Sequence, residues 1–361
     1  MSDTPRPAEH PAPMEGGGAY NRNSAVQASG LLPAIDLLEQ AARAMPVDDG
    51  AGIVIADYGS SAGRNSLLPM ATAIAALRAR VGAQRPISVV HTDLAGNDFS
   101  ALFRMLESDP QSYTASDPAV FPSAVGRSFY GPVLPGNTVT LGWSSWAVQW
   151  LSRIPAPVPD HVQAAFSRDP ATRALFAQQA DSDWRCFLAE RSREMHRGGR
   201  PVVLTMASDD EGRFGYEAVL AAIYGGLLAM QGEGLLAAHE LARMVIPTVG
   251  RTRADFAKPF EQKEGGNFEG LRLAQLEVFS GEDRIWAGYE QSRDARAFGA
   301  SWAAFSRASV FPTLALGLEA EPGADRVTPF MDRLEEEMAM RLAATPERMR
   351  MPLARMVLTR A

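Results

Sequence analysis

A chain of 361 residues, 46% hydrophobic and 21% charged, is long enough to bury a sizeable core in one large domain or two intimate ones. Its formal charge of −7 argues against a general nucleic-acid partner, and its one cysteine, Cys186, excludes an internal disulfide and suits a reducing, cytoplasmic setting. Five scattered histidines offer no zinc-ligand spacing, and no apolar run reaches membrane-spanning length.

Residues 1–13, punctuated by prolines and without an apolar signal core, read as a disordered leader. A helix is expected near 24–45, with Leu31, Ile35, Leu38, Ala42 and Met45 on one core-facing stripe and Pro33 near its start. The apolar run from Gly52 to Ala56 then reads as a strand covered on both faces, ending in Asp57 and Tyr58. Gly59 and Gly63 supply the tight turn and close backbone approach that a ligand at a strand's carboxyl end requires. Their spacing is not the G-x-G-x-x-G of a dinucleotide fold. A helix at about 65–82, a strand at 87–93 and a short helix at about 97–107 follow. Further strands are expected at 121–126, 138–144 and 201–207, the last after a long helix near 171–197, and two late strands at 272–279 and 355–359 make seven. This alternation predicts an α/β, doubly wound sheet, with an antiparallel pair at its end.

The expected organisation is an α/β core at 14–208, a mainly helical cap at 209–350 holding a returning core strand near 272–279, and a final core strand within 351–361. Pro247, Pro259 and the Gly265–Gly266 pair interrupt the helical patterning of the cap. A cap inserted at the carboxyl ends of the strands lies where such sheets bind ligands. Asp57 and Asp93 both stand where a strand gives way to a loop. An ionised carboxylate there can accept both hydroxyls of a ribose, which favours an adenosine-containing ligand. The alternative is that each acid caps the helix that follows.

Five ordered blocks carry a family resemblance: Tyr20-Asn-Arg-Asn-Ser-Ala-Val-Gln27, Ala56-Asp-Tyr-Gly-Ser-Ser-Ala-Gly-Arg-Asn65, Thr92-Asp-Leu-Ala-Gly-Asn-Asp-Phe99, Ser128-Phe-Tyr-Gly131 and Ser144-Ser-Trp-Ala-Val-Gln-Trp-Leu-Ser152. Together they resemble the SABATH methyltransferases, which comprise salicylate, benzoate and jasmonate carboxyl methyltransferases and the caffeine-pathway N-methyltransferases. The resemblance implies a Rossmann-like class I methyltransferase sheet of seven strands with a helical cap. It implies S-adenosylmethionine as methyl donor and S-adenosylhomocysteine as product. By the same resemblance Asp57 and Asn65, within the turn that includes Gly59, match the positions holding the methionine amino end, with Ser24 near its carboxylate. Asp93 matches the acid on the ribose, Leu94 its neighbour on the adenine, and Ser128 and Phe129 the adenine-contacting pair. Gln27 and Trp150 match the two side chains that bind a substrate carboxylate. Tyr20, Trp146 and Gln149 fall at substrate-pocket positions, where Trp146 and Gln149 depart from the usual Tyr and Met, and Trp143 replaces a frequent His. A homodimer is expected by analogy, and no metal-ligand set is evident.

Ser24 and Gln27, three residues apart, project from one helix face. Trp143, Trp146 and Trp150 are expected to share a helical stripe beside Gln149, either as pocket or as core. His91 reads as structural, with no neighbour supplying a relay. The implied reaction needs no general base, because a carboxylic acid of pKa about 4 is already ionised at neutral pH. The expected activity is therefore conversion of a small aromatic or apolar carboxylic acid to its methyl ester. N-methylation of an azole or purine ring, an NAD-dependent oxidoreductase and a silent cofactor-binding protein are the alternatives. The segment 216–230 is expected to supply one pocket wall, through either Leu220 or Tyr224.

Overall fold

Alternation of strand and helix runs through the first half of the computed structural model, which describes residues 10, 14, 30–47, 52–261, 266–319 and 325–361. Helix α1 (Leu32–Ala44) precedes β1 (Ile53–Tyr58), α2 (Leu67–Val81), β2 (Ile87–Asp93), α3 (Phe99–Ser108), β3 (Val120–Gly126) and β4 (Val139–Ser145). The long helix α4 (Pro170–Glu194) runs directly into β5 (Met195–Met206). Helices α5 (Glu217–Gly232), α6 (Ala238–Leu241) and α7 (Arg253–Glu261) come before the hairpin of β6 (Asn267–Phe268) and β7 (Leu271–Ser280). Helices α8 (Arg284–Ser292), α9 (Ala295–Ser309), α10 (Phe311–Ala315) and α11 (Val327–Ala344) lead to β8 (Pro352–Arg360).

The described strands form one sheet in the order β3-β2-β1-β4-β5-β8-β7-β6. The first five in that order are parallel, and β8 inserts antiparallel between β5 and β7. The sheet thus has eight strands rather than the expected seven. The extra one, β6, has two residues and is too short to carry a period-2 pattern. Strand β5 also begins earlier than expected, at Met195 opposite Val139, and a register irregularity follows before Arg200 meets Leu141 on β4. Pro259 does not break its segment, since it lies within α7.

Strand β1 sits between β2 and β4 and is covered on both sides, so its apolar run needs no alternation. Ile53 and Ile55 join one core with α1–α3, where Leu31, Leu38, Ala42 and Met45 of the predicted stripe are buried. Pro33 is tolerated in the first turn of α1, where its missing N–H costs nothing. Ala56 and Tyr58 face a second core built on Trp184, Phe187 and Met356. A third core, with Ile223, Leu227, Trp302, Phe311 and Leu334, joins α5, α9, α10 and α11. Each large apolar side chain fully buried in these cores contributes roughly 1.5–3 kcal/mol.

Candidate active site

The carboxyl ends of β1 and β2 are tied together through their turns. Gly59 N–H and Ser60 N–H both donate to the Thr92 carbonyl, at 2.9 and 3.0 Å. Ser61 N–H and Leu94 N–H donate to the two oxygens of Asp93, each at 2.7 Å, and Asn97 Nδ2 donates to Ser61 O at 2.8 Å. The turn needs glycine: Gly59 has φ +89°, and a Cβ there would lie 2.4 Å from Ala147 Cβ. Neither strand-end acid is a helix cap. The N-cap of α3 is Asp98, which accepts from Ala101 N–H at 2.9 Å.

Burial, partly offset by the Ser61 and Leu94 N–H groups and reinforced by the charge of Asp57, pushes the Asp93 carboxyl up to about 6. Asp57 itself is 2% exposed. Its Oδ2 accepts from Ser66 Oγ at 2.5 Å and pairs with His91 Nδ1 at 2.9 Å, and His91 Nε2 meets Tyr113 Oη at 2.7 Å. His91 therefore has the relay partner that the sequence reading did not find. Tyr113 lies in the loop after α3, too far along the chain for local spacing to reveal it.

A second loop forms the facing wall. Its anchor is a buried ion pair on the last turn of α4, in which Arg191 Nε and Nη2 donate to Glu194 at 3.0 and 2.9 Å. Glu194 also accepts from Tyr58 Oη at 2.8 Å and from Val133 and Leu134 N–H at 2.8 and 3.0 Å. Arg191 donates to the Phe129 carbonyl at 2.6 Å and lies 4.3 Å from the centroid of the Tyr58 ring. Phe129 packs edge-on against Phe187 at 5.9 Å. Every polar group of the ion pair thus has a partner, the condition under which buried charges are tolerated.

These walls enclose a cavity of about 540 Å³ bordered by Gly59, Ser61, Asp93, Leu94, Ser128, Phe129, Trp146 and Trp150, with His10 and Met14 at its margin. An adjoining chamber of about 80 Å³ shares Met14, Trp146 and Trp150 with it. Leu220, Ile223, Met206, Phe214 and Ile246 line the chamber, and no side chain among its lining residues is ionisable at neutral pH. Of the two candidates on α5, Leu220 therefore lines the chamber, with Val219 and Ile223 beside it. Tyr224 instead packs its ring 4.7 Å from His161.

The tryptophans do not form a helical stripe. Trp143 lies on β4 in register with Asp57, fully buried, and borders neither cavity. Trp146 occupies the left-handed region at φ +55°, a strained conformation for a bulky residue. Its N–H donates to Leu204 O, and its carbonyl accepts Gln149 Nε2 at 2.7 Å. An ideal Cβ on Gly30 would lie 2.5 Å from the Trp146 ring, so only glycine fits against it. Trp150 bridges to Thr248. Gln149 borders the chamber, but its amide is bonded to Trp146 O and, at 2.9 Å, to Thr205 Oγ1. It braces the wall.

Seven of the sequence-derived positions, Gly59, Asp93, Leu94, Ser128, Phe129, Trp146 and Trp150, thus border one cavity. Asp57 and Asn65 lie just behind it on β1 and the following 3₁₀ turn and do not border it. Tyr20, Ser24 and Gln27 fall outside the described residues. Ser61 and Tyr130 stood inside the family blocks without an assigned role, and Arg191 and Glu194 were not legible from sequence. The only available cue was a pair of opposite charges three residues apart, which ordinarily marks a solvated helix face. Among the described residues, no group of His, Cys, Asp or Glu is arranged to hold a metal ion, and no helix is long and apolar enough to cross a membrane.

The residues present fit a nucleoside-sulfonium cofactor. The Asp93 carboxylate keeps acceptor capacity beyond its two N–H bonds, an aromatic wall stands opposite, and the cavity has the volume usual for small-molecule sites. Over 96% of this chain and 98% of the other, the fold matches that of loganic acid methyltransferase solved with SAH, at TM-score 0.78 and 18% identity. That likeness shows the fold, the α/β sheet with its helical cover. Methyltransferase FUS9 of Gibberella moniliformis is 28% identical over 252 residues, 69% of this chain and 67% of that protein. Salicylate carboxymethyltransferase of Clarkia breweri is 28% identical over 249 residues, covering 65% and 68%. Residues 10–360 match the family described as SAM dependent carboxyl methyltransferase, and the chain belongs to that family. Its cofactor is S-adenosylmethionine, so the oxidoreductase alternative is set aside.

Proposed function

We propose that the protein methylates the carboxylate of a small, uncharged-bodied aromatic or apolar acid, giving the methyl ester without a general base. The observation that carries this reading is the junction formed by Trp146 and Trp150, which border both the large cavity and the apolar chamber. A carboxylate placed at that junction has its body in the chamber, where apolar side chains receive it. Bound S-adenosylmethionine supplies a methyl group on a cationic sulfur. Asp93 would accept the ribose hydroxyls, Ser128 and Phe129 would flank the adenine, and Asp57 with Asn65 and Ser24 would hold the amino-acid end. Trp150, whose indole N–H has no partner among the described residues, and Gln27 would donate to the carboxylate.

An acid already ionised at neutral pH needs no proton removed, so the chain's contribution is alignment and exclusion of water. The apolar chamber wall supplies the second and the turn-bound carboxylates the first. N-methylation would have the substituted Trp146 and Gln149 read a different ring, and the Gln149 amide, bonded to Trp146 and Thr205, lends this alternative no support. By family analogy and from the single cysteine we expect a cytoplasmic homodimer, which sedimentation would measure. The decisive experiment is a methyl-donor assay against benzoic, cinnamic, indolic and aliphatic acids, read by product mass. Methyl esters are expected. N-methyl products or no turnover across the panel would overturn the reading.

A further inference from the structure

The relay behind the cofactor cavity is chemically complete. On the neighbouring strands β1 and β2, Asp57 and His91 are paired in register, so their side chains leave the same face of the sheet. Asp57, His91 and Tyr113 are 2%, 0% and 4% exposed. Burial, helped by the charge of Asp57, holds the Tyr113 phenol well above its ordinary pKa, so it remains a donor. With its proton on Nδ1, His91 donates to Asp57 Oδ2 and accepts Tyr113 O–H at Nε2, and every proton in the chain has an acceptor. The opposite tautomer would leave Asp57 Oδ2 facing a lone pair, and a doubly protonated ring would leave the phenol proton without an acceptor. Ser66 Oγ supplies the second donor to the same oxygen. Both donors therefore converge on Oδ2, and Oδ1 accepts no hydrogen bond among the described residues.

We propose that His91, oriented by Tyr113, is a positioning residue that fixes the Asp57 carboxylate with Oδ1 turned to the ammonium group of the methyl donor. The idea rests on the reading of Asp57 given above. It adds that the selectivity of the site for the amino-acid end of the cofactor depends on a histidine and a tyrosine that never touch it. Because a neutral ring adds no positive charge, Asp57 keeps its full charge for a cationic partner. With Ser66 Oγ as its only donor, the buried carboxylate would instead be free to rotate about its final bond.

The test uses the full-length enzyme and two ligands that differ only at that end. These are S-adenosylhomocysteine, which carries the ammonium, and 5′-methylthioadenosine, which lacks the amino-acid portion. For His91→Leu, calorimetry should show S-adenosylhomocysteine binding weakened about tenfold or more, with methylthioadenosine binding within about threefold of the parent, as expected for loss of one charge-assisted bond. His91→Asn, which restores an amide donor near the Nδ1 position, should recover most of the loss. Tyr113→Phe should show a smaller loss, again confined to S-adenosylhomocysteine, so that the preference for it over methylthioadenosine shrinks. Equal weakening of both ligands, or no rescue by asparagine, would reduce His91 to a packing role and overturn the proposal. Should His91→Leu fail to fold, Tyr113→Phe decides alone: unchanged selectivity overturns the idea. The underlying reading is checked separately by Asp57→Asn. Unaltered preference for S-adenosylhomocysteine in that variant would remove Asp57 from the site altogether.

Discussion

Arg191 and Glu194 stand one turn apart at the end of α4, both at most 1% exposed, and between them hold Tyr58, Phe129, Gly131, Val133 and Leu134. The wall of the cavity is thus fastened to the sheet by an ion pair that does not itself border it. Removing one partner leaves the other charge buried and unpaired. Arg191→Ala should therefore lower unfolding free energy by roughly 3–5 kcal/mol, measured by denaturant titration. Binding of S-adenosylhomocysteine should weaken in parallel, since the loop carrying Ser128 and Phe129 loses its anchor. An unchanged midpoint would show that the pair contributes nothing net.

Asp93 should govern both affinity and its pH dependence. Asp93→Ala is expected to weaken S-adenosylhomocysteine binding by roughly 1.5–3 kcal/mol. Burial holds its folded carboxyl up at about 6, above the ordinary aspartate value of 3.8. Between those values the folded, unliganded protein holds a proton that the unfolded chain has released. This group's contribution to stability is thus fully present below the lower value and declines as pH rises through about 6. Hydroxyl donors need the ionised form, so affinity should fall as pH drops from 7.5 to 5. Calorimetry across that range should show the fall in the parent and a flatter profile in Asp93→Ala.

Gly59 tests the turn. With φ at +89° and Ala147 Cβ in the way, Gly59→Ala should cost roughly 1–3 kcal/mol in stability and displace the wall of the cavity. The double variant with Ala147→Gly removes the clash and not the strained φ. Partial recovery of S-adenosylhomocysteine binding in a titration would separate the two causes.

Leu220 tests the chamber. Leu220→Phe should reduce kcat/KM for the bulkiest accepted acid roughly tenfold relative to the smallest, the scale of a one-group mismatch in an apolar pocket. S-adenosylhomocysteine affinity should stay within error, since Leu220 borders only the chamber. A uniform loss across acids would place the effect on folding.

The sheet and the cavity-bearing edge were legible because each depends on neighbours in the chain. A both-face apolar run ending in Asp57 and a glycine turn marks a central parallel strand, and Ile87–Asp93 repeats the pattern. The tryptophan cluster misled for the same reason. Spacings of three and four residues suggest a helix, yet Trp143 lies within a strand and Trp146 is held in a left-handed turn. The strand β6 left no trace because two residues have no period.

Local periodicity, set by the backbone repeat, thus determined the order of elements and the acids at strand ends, while the family-bearing blocks were read by their resemblance to the SABATH methyltransferases. Tertiary structure decided which buried polar groups meet. Asp57 and His91 are 34 residues apart, and Tyr58 and Glu194 are 136 apart. Such pairs come together only when the strand order is set and the helices have docked. A buried donor or acceptor must then find whichever partner the packing brings within reach, because water is no longer there to serve it.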